Sequence, residues 1–303
     1  MKDVGVVGLG AMGLGVARTL LAKGFTVHGC DVRPQALESL SAAGGVAHAS
    51  PADTASSCDT LLLFVVNAKQ VSSVLHGEQG AVQRMRPGSV VVSCATVPPS
   101  FMHDLGRQLD AAGVHLIEAP VSGGIKGAAE GRLTLLTSGA EAAYGICNAV
   151  LEAISTKVYR FGPQLGIASK IKIINQLLVG VQIAAAAEAM ALGLREGVDP
   201  ALLYDVIKSS AGNSWAFSDR VPRIVQGDYS PPHTALDIFV KDLGLVLDLA
   251  RESQFPLPLT STAYQMFANA SSAGLGSEDD TAVIKTFPGL ELPQGKGADA
   301  PLD

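Results

Sequence analysis

The sequence predicts an α/β protein, with a doubly wound, mostly parallel sheet domain over residues 1–162 and an all-helical domain over 163–287, entered through a long helix. Three observations predict it. Gly8, Gly10 and Gly13 fit G-x-G-x-x-G where an apolar run gives way to a helical pattern. Short apolar runs then alternate with helical periodicity, which implies crossover connections. Past Phe161 the apolar runs nearly vanish and helical periodicity takes over. The last stretch, 288–303, is rich in Pro and Gly and reads as a loose tail.

The opening strand covers 4–7 and stops at Gly8. In the loop Gly8-Leu9-Gly10-Ala11-Met12-Gly13 each glycine has a task. The first makes the tight turn, the second lets backbone approach a pyrophosphate, and the third lets helix pack closely on strand. A helix starting near Ala11 aims free N–H groups and the positive end of its dipole at the phosphates. The next strand, 26–30, ends at Asp31, roughly 20 residues on, where a carboxylate is needed to hold ribose hydroxyls. Strand, glycines, helix, strand and acid together make this a Rossmann-type site whose whole loop contacts the cofactor. Asp31 would repel the extra phosphate of NADP, which favours NAD, while Arg33 keeps NADP as the lesser option. The same segment reads poorly as a secretion signal, because Lys2 is offset by Asp3 and the apolar centre is interrupted by Arg18 and Lys23.

Further strands are expected at 60–66, 89–94, 115–118 and 133–137, with a helix following to 154. Ligands of such sheets bind beyond the carboxyl ends of the strands. Asn67, Thr96 and the run Ser122-Gly123-Gly124 fall at those ends. Asn67 and Thr96 also fit ordinary turn residues. Two adjacent glycines let N–H groups converge on an anion, and Ser122 adds a donor, so this hollow suits a carboxylate. A plain Gly-Gly turn is the alternative.

A helix of roughly thirty residues, about 45 Å long at 1.5 Å per residue, is expected over 164–195. Shorter helices follow at 200–209, 236–253 and 259–273. On the long helix, Lys170 and Lys172 point to nearly opposite sides. Lys172 has Asn175 at i+3 and Gln176 at i+4, whereas Lys170 has Ile173 and Ile174 there. Lys172 is therefore the better catalytic candidate, against the alternative of a solvated surface lysine. A lysine base, with a reference pKa of about 10.4, needs that value depressed, and burial beside a cationic nicotinamide acts in that direction. Residues 177–194 are almost wholly apolar, but Gln182 and Glu188 would be costly in a bilayer. The helix is expected to be buried against another domain or a second copy of the chain.

With 303 residues and 48% hydrophobic composition there is core for about two domains. A net charge of −6 offers nothing to nucleic acid or to an anionic membrane. Cys30, Cys58, Cys94 and Cys147 lack CxxC or metal spacing and fit a reduced, cytoplasmic protein. The histidines are scattered and form no HExxH pair, which argues against a metal site.

The GLGAMG loop at 8–13, APVSGG at 119–124, a lysine with nearby amides on a long helix, and FVKDLGL at 239–245 together resemble the β-hydroxyacid dehydrogenases. The match runs over nearly the whole chain to about residue 287. The resemblance implies NAD-dependent oxidation of a short hydroxy or sugar acid, L-threonate for preference, with 3-hydroxyisobutyrate or tartronate semialdehyde chemistry as alternatives. The apolar stretch 177–194 points to a homo-oligomer, dimer or tetramer, or at least to an unusually enclosed helix. The resemblance also implies Lys172 as general acid/base, Ser122, Gly123 and Gly124 on the substrate, Lys241 at the cofactor, and Asn67 and Thr96 near the nicotinamide. Asn175 or Gln176 is expected to orient a substrate hydroxyl. The chain departs from the family pattern in two places. Gly166 lies further ahead of Lys172 than in many members, and Gln176 stands where many carry a second asparagine, which bears on the substrate more than on the reaction class. A silent NAD-binding redox sensor would keep the loop and Asp31 but has no use for Lys172 beside Ser122.

Overall fold

The structure, a computed structural model, describes residues 3–293. It divides into two compact units that meet in the chain between Lys172 and Ile173. The division falls inside the long helix, later than residue 162, because the first turn of that helix is hydrogen-bonded to the sheet unit.

The first unit alternates strand and helix: β1 (Asp3–Val7), α1 (Ala11–Ala22), β2 (Thr26–Cys30), α2 (Pro34–Ala42), β3 (Val46–Ala47), α3 (Pro51–Ser56), β4 (Thr60–Leu63) and α4 (Ala68–His76). It continues through β5 (Val90–Ser93), α5 (Pro99–Ala111), β6 (His115–Glu118), β7 (Val121–Ser122), α6 (Gly124–Glu130), β8 (Leu133–Gly139), α7 (Glu141–Ile154) and β9 (Ser155–Arg160). The strands β3-β2-β1-β4-β5-β6 lie in that order, all parallel, so the order reverses between β1 and β4. β8 adds antiparallel to β6, and it carries β7 antiparallel and β9 parallel.

Alternate residues of the central strands enter two apolar layers. Val4, Val6, Leu62, Val90, Val92 and Ile117 belong to one, and Val7, Leu61, Leu63, Val91 and Leu116 to the other. Burial on both faces is why these strands read as unbroken apolar runs. The run expected to 66 ends as strand at Leu63; the Phe64 N–H makes the last bond to β1, at the Val7 carbonyl, and the chain then turns into α4, capped by Asn67. The short elements α3, β3 and β7 carry too few residues to show a period, and the largely exposed β9 lacks the apolar run by which the other strands were read.

The second unit holds most of α8 (Ile167–Arg195), then α9 (Pro200–Lys208), α10 (Trp215–Gln226), α11 (Leu236–Glu252) and α12 (Pro258–Ala270). Its core gathers Ile183, Met190, Phe217, Val221, Leu243 and the stacked pair Phe239 and Phe267. Ala184, Ala186, Ala187 and Ala191 of α8 are part of this core, in a helix long and apolar enough to cross a membrane by composition. The sequence did not predict α10, because Pro222 inside it hides its helical pattern. The helix expected to 273 stops at Ala270 and closes in a π turn, with Gly274 at φ +89°. Of the expected loose tail, Leu290 and Leu292 pack against the core and Pro288 accepts a hydrogen bond from Arg195, while 294–303 lie outside the described residues.

Arg220 and Arg223 of α10 reach the buried pair Asp279 and Asp280. Burial pushes the Asp279 carboxyl up, but Arg223 and the Thr281 hydrogen bonds outweigh it and hold it below the usual range. Asp280 has no hydrogen bond to Oδ1 among the described residues. Burial and the Asp279 charge push it up to about 7 against the pull of Arg220. A carboxyl whose pKa is higher folded than unfolded stabilises the fold at low pH and loses that contribution as pH rises toward the folded value. Asp280→Asn is therefore expected to gain stability relative to the unmodified chain as pH rises from about 4 to about 7, read as the difference in urea midpoints. A constant difference across that window would contradict this.

Candidate active site

The strand-order reversal leaves a crevice at the carboxyl ends of β1 and β4, and the glycine loop lies there. Gly8 takes φ +90°, and a Cβ on it would lie 2.5 Å from the Phe64 carbonyl oxygen. One on Gly13 would lie 1.8 Å from the Gly8 carbonyl oxygen. The turn thus requires the first glycine, and the packing of α1 on β1 requires the third. Gly10 is open, with only Arg33 Nη2 near its Cβ position, at 3.8 Å. It is the N-cap of α1, and the first helical bond runs from the Leu14 N–H to the Gly10 carbonyl. The N–H groups of Ala11, Met12 and Gly13 therefore precede the helical ladder. A cradle bare of side chains at a helix N-terminus fits the pyrophosphate of a dinucleotide.

Leu9 departs from the expected cofactor contact. Its side chain is in the core, and its N–H donates to Asp31 Oδ2 at 2.7 Å. It fixes the acid that ends β2. Burial raises the Asp31 carboxyl, but hydrogen bonds from Arg33 and Leu9 outweigh it and hold the group below the usual carboxylate range. Asn67 Oδ1 accepts the Gln70 N–H at 2.9 Å and caps α4, the role of an ordinary turn residue. Thr96 is half-buried in the loop after β5.

Ser122 ends β7, where it pairs with Thr134 of β8. Gly123 and Gly124 follow at φ +123° and +61°, so both positions need glycine. The residue that sequence reasoning passed over is Glu118, four residues earlier at the end of β6. It is fully buried, and its carboxylate accepts the Ala168 N–H at 3.0 Å, the Ser169 N–H at 3.3 Å and the Ser169 hydroxyl at 2.7 Å. A buried carboxylate thus caps the N-terminus of α8. Ahead of that turn Gly166 takes φ +87°, where a Cβ would lie 2.9 Å from His103 Nε2. The helix accordingly begins at Ile167, later than residue 164. One turn beyond Ser169 comes Lys172, 7% exposed, on the buried face, whereas Lys170 is exposed.

In the second unit, Asn175 and Gln176 form a chain. Asn175 Nδ2 donates to Gln176 Oε1 at 3.1 Å, and Gln176 Nε2 donates to Asp242 Oδ2 at 2.7 Å. Asp242 Oδ1 pairs with Lys241 Nζ at 2.6 Å. Gln176, expected to face a substrate hydroxyl, is buried and spends its amide on Asp242.

A family profile described as the NAD binding domain of 6-phosphogluconate dehydrogenase matches residues 3–162. A second, described as NAD-binding of NADP-dependent 3-hydroxyisobutyrate dehydrogenase, matches residues 166–287. The L-threonate dehydrogenase of Cupriavidus necator is 60% identical over 292 residues, 96% of this chain and 98% of that one. That of Escherichia coli strain K12 is 47% identical over 294 residues, 97% of each. The crystal structure of 3-hydroxyisobutyrate dehydrogenase from Salmonella typhimurium overlays with a TM-score of 0.90 at 48% identity, covering 95% of this chain and 100% of that chain. The chain belongs to the β-hydroxyacid dehydrogenase family. As the resemblance implied, it is a hydroxyacid dehydrogenase that uses a nicotinamide dinucleotide.

In this β-hydroxyacid dehydrogenase, the signal for Glu118 in the sequence is an acid that closes the apolar run HLIE directly before APVSGG. Glu118→Ala leaves the Ser169 N–H buried without an acceptor, at about 1–3 kcal/mol, and the Ala168 N–H with only the Ser138 hydroxyl at 3.3 Å. Ser169→Ala removes only a hydroxyl donor and is expected to cost about 1 kcal/mol. Urea unfolding of the two variants measures both, and equal costs would contradict the capping role.

Proposed function

We propose that the chain oxidises L-threonate beside its carboxylate, with NAD as oxidant and Lys172 as general base. The observation that carries this is a lysine buried one turn past an anchored helix start, with the other lysine of the pair turned outward. The substrate rests on the similarity of L-threonate dehydrogenases along nearly the full chain.

Bound NAD supplies the hydride acceptor. The Ser122 hydroxyl and the Gly123 and Gly124 N–H groups hold the substrate carboxylate. Asn175, one turn after Lys172 on α8, orients a substrate hydroxyl. Lys172 Nζ takes the proton of the hydroxyl being oxidised and returns it to the carbonyl oxygen in the reverse direction. Gly8, Gly10, Ala11, Met12 and Gly13 shape the cradle for the pyrophosphate, Asp31 takes the ribose hydroxyls and favours NAD over NADP, and Asn67 and Thr96 line the nicotinamide end. Lys241 is the remaining residue directed at the cofactor, with Gln176 one step back, keeping its partner Asp242 in place.

The protein acts in the cytoplasm as a homo-oligomer, a dimer or tetramer. All four cysteines are free and buried, as suits a reducing compartment. Along α8 the chain leaves Ile174, Leu178 and Leu192 exposed at 57%, 55% and 63%, with Ala185 and Ala189 exposed between them. A second copy covering this stripe removes it from water.

Lys172→Ala is expected to lower kcat by about 10²–10⁴-fold while NAD binding persists, and Lys170→Ala to keep most activity. Oxidation by the unmodified enzyme should speed up with rising pH, and that limb should vanish in Lys172→Ala; loss of activity in Lys170→Ala alone would contradict the assignment. Initial rates with L-threonate and 3-hydroxyisobutyrate test the substrate, a higher kcat/KM for the latter overturning it. Sedimentation velocity should show an oligomer that Leu178→Asp with Leu192→Asp converts to monomer, whereas a monomeric unmodified chain would rule out the interface.

A further inference from the structure

The ladder that carries Ser122 places a second hydroxyl beside it. β7 and β8 run antiparallel with Ser122 opposite Thr134, and β9 runs parallel to β8 with Lys157 opposite Thr134. Val121, Leu133, Leu135 and Val158 pack into the core on one face of these strands, so Ser122, Thr134 and Lys157 point to the other. The register slips between Leu133 and Thr134, which leaves Thr156 without a partner and brings Lys157 into line with Thr134. Two hydroxyls and an ammonium therefore stand in one row, with no acid among them, which suits an anionic ligand rich in hydroxyls.

The fold has no use for the Thr134 hydroxyl. Three residues on in the same strand, Thr137 Oγ1 donates to the Tyr159 carbonyl at 2.8 Å and accepts from the Tyr144 hydroxyl at 2.9 Å, so that threonine is spent on packing. Thr134 is half-buried, and among the described residues neither its hydroxyl nor that of Ser122 makes a hydrogen bond. Lys157 holds its ammonium over the Tyr159 ring, 5.2 Å from the centroid, which leaves Thr134 as the polar neighbour of Ser122 in the row. The spacing is fixed as well, because the loop after Ser122 lies against the start of β8. A Cβ on Gly123 would lie 3.6 Å from the Leu133 Cα and from the Arg132 carbonyl oxygen. Cβ atoms opposite each other in an antiparallel pair are about 4.5–5.5 Å apart. A four-carbon acid, with C–C bonds of about 1.5 Å, spans a comparable distance from its carboxylate to its last carbon.

We propose that Thr134 determines substrate specificity. With the carboxylate in the hollow of Ser122, Gly123 and Gly124, the Thr134 hydroxyl bonds a hydroxyl on the third or fourth carbon of the acid and so selects polyhydroxylated acids over those with a plain alkyl chain. A threonine hydroxyl both donates and accepts, which lets it serve a substrate hydroxyl in either sense. A site that bonds a hydroxyl rejects the analogue lacking it, because its own polar group is then left unpaired. This inference deepens the reading of a sugar acid held at Ser122, and rests on it.

Initial rates with L-threonate and with the 2-hydroxybutyrate of the same C2 configuration test it. The second acid keeps the four-carbon chain and the oxidisable carbon but has no hydroxyl beyond it. The unmodified chain is compared with Thr134→Val, Thr134→Ser and Thr156→Val, and thermal unfolding shows that each variant is folded. The unmodified chain is expected to favour L-threonate in kcat/KM. Thr134→Val is expected to raise KM for L-threonate about three- to tenfold, with its kcat and both constants for 2-hydroxybutyrate staying within about twofold. Thr134→Ser, which keeps the hydroxyl, should keep the preference, and Thr156→Val, which loses the same group at the unpaired position of β9, should change neither acid. Equal losses on both acids in Thr134→Val would show a merely structural role, and an unchanged KM for L-threonate would show that there is no contact; either overturns the proposal. An unmodified chain inactive on L-threonate would instead refute the sugar-acid reading itself.

Discussion

Glu118 carries its carboxylate where no water reaches it, and the donors that make this tolerable come from the first turn of α8. Such a group is costly to bury unless its oxygens are satisfied, so strand end and helix start are bound to each other by necessity. Four residues after Glu118 comes Ser122, and three residues after Ser169 comes Lys172. The loop proposed to bind substrate and the lysine proposed to transfer the proton therefore take their positions from the same buried carboxyl group. The Ser138 hydroxyl, which accepts from the Ala168 N–H, adds β8 to that junction.

Several groups that the sequence offered for ligands are spent on architecture within their own unit. The Leu9 N–H holds Asp31, Asn67 caps α4, and Gln176 holds Asp242, which in turn pairs with Lys241. Side chains held this way keep one geometry before any ligand arrives, which lowers the ordering cost of binding. Arg33 contrasts with them, because it combines a full set of bonds to Asp31 with a largely exposed arm.

The parts of the fold that were legible in the sequence are those with a strong local signature. The strands β1, β2 and β6 and the start of α1 follow from apolar runs and glycine spacing, and Gly8 and Gly13 have the steric roles their spacing implies. Helical periodicity puts Lys172 and Lys170 on opposite sides, and the amides beside Lys172 mark it as the inward one, as its burial bears out. What was not legible depended on distant partners. Nothing local to Glu118 reveals that its acceptors serve a helix some fifty residues away, and nothing local to Gln176 reveals Asp242. The helix α10 was missed for the opposite reason, a local proline signal overruled by packing of Phe217, Val221 and Ile224 into the core.

In the proposed reaction the carbon beside the carboxylate of L-threonate gives up its hydrogen with its electron pair while Lys172 takes the hydroxyl proton. Turnover of L-threonate deuterated at C2, with the reduced cofactor analysed by mass spectrometry, tests it most directly. The label is expected to leave the acid and appear in the reduced cofactor, with the 2-oxo acid as product. Label retained in the acid while the cofactor is reduced would mean that a different carbon is oxidised, and would contradict it.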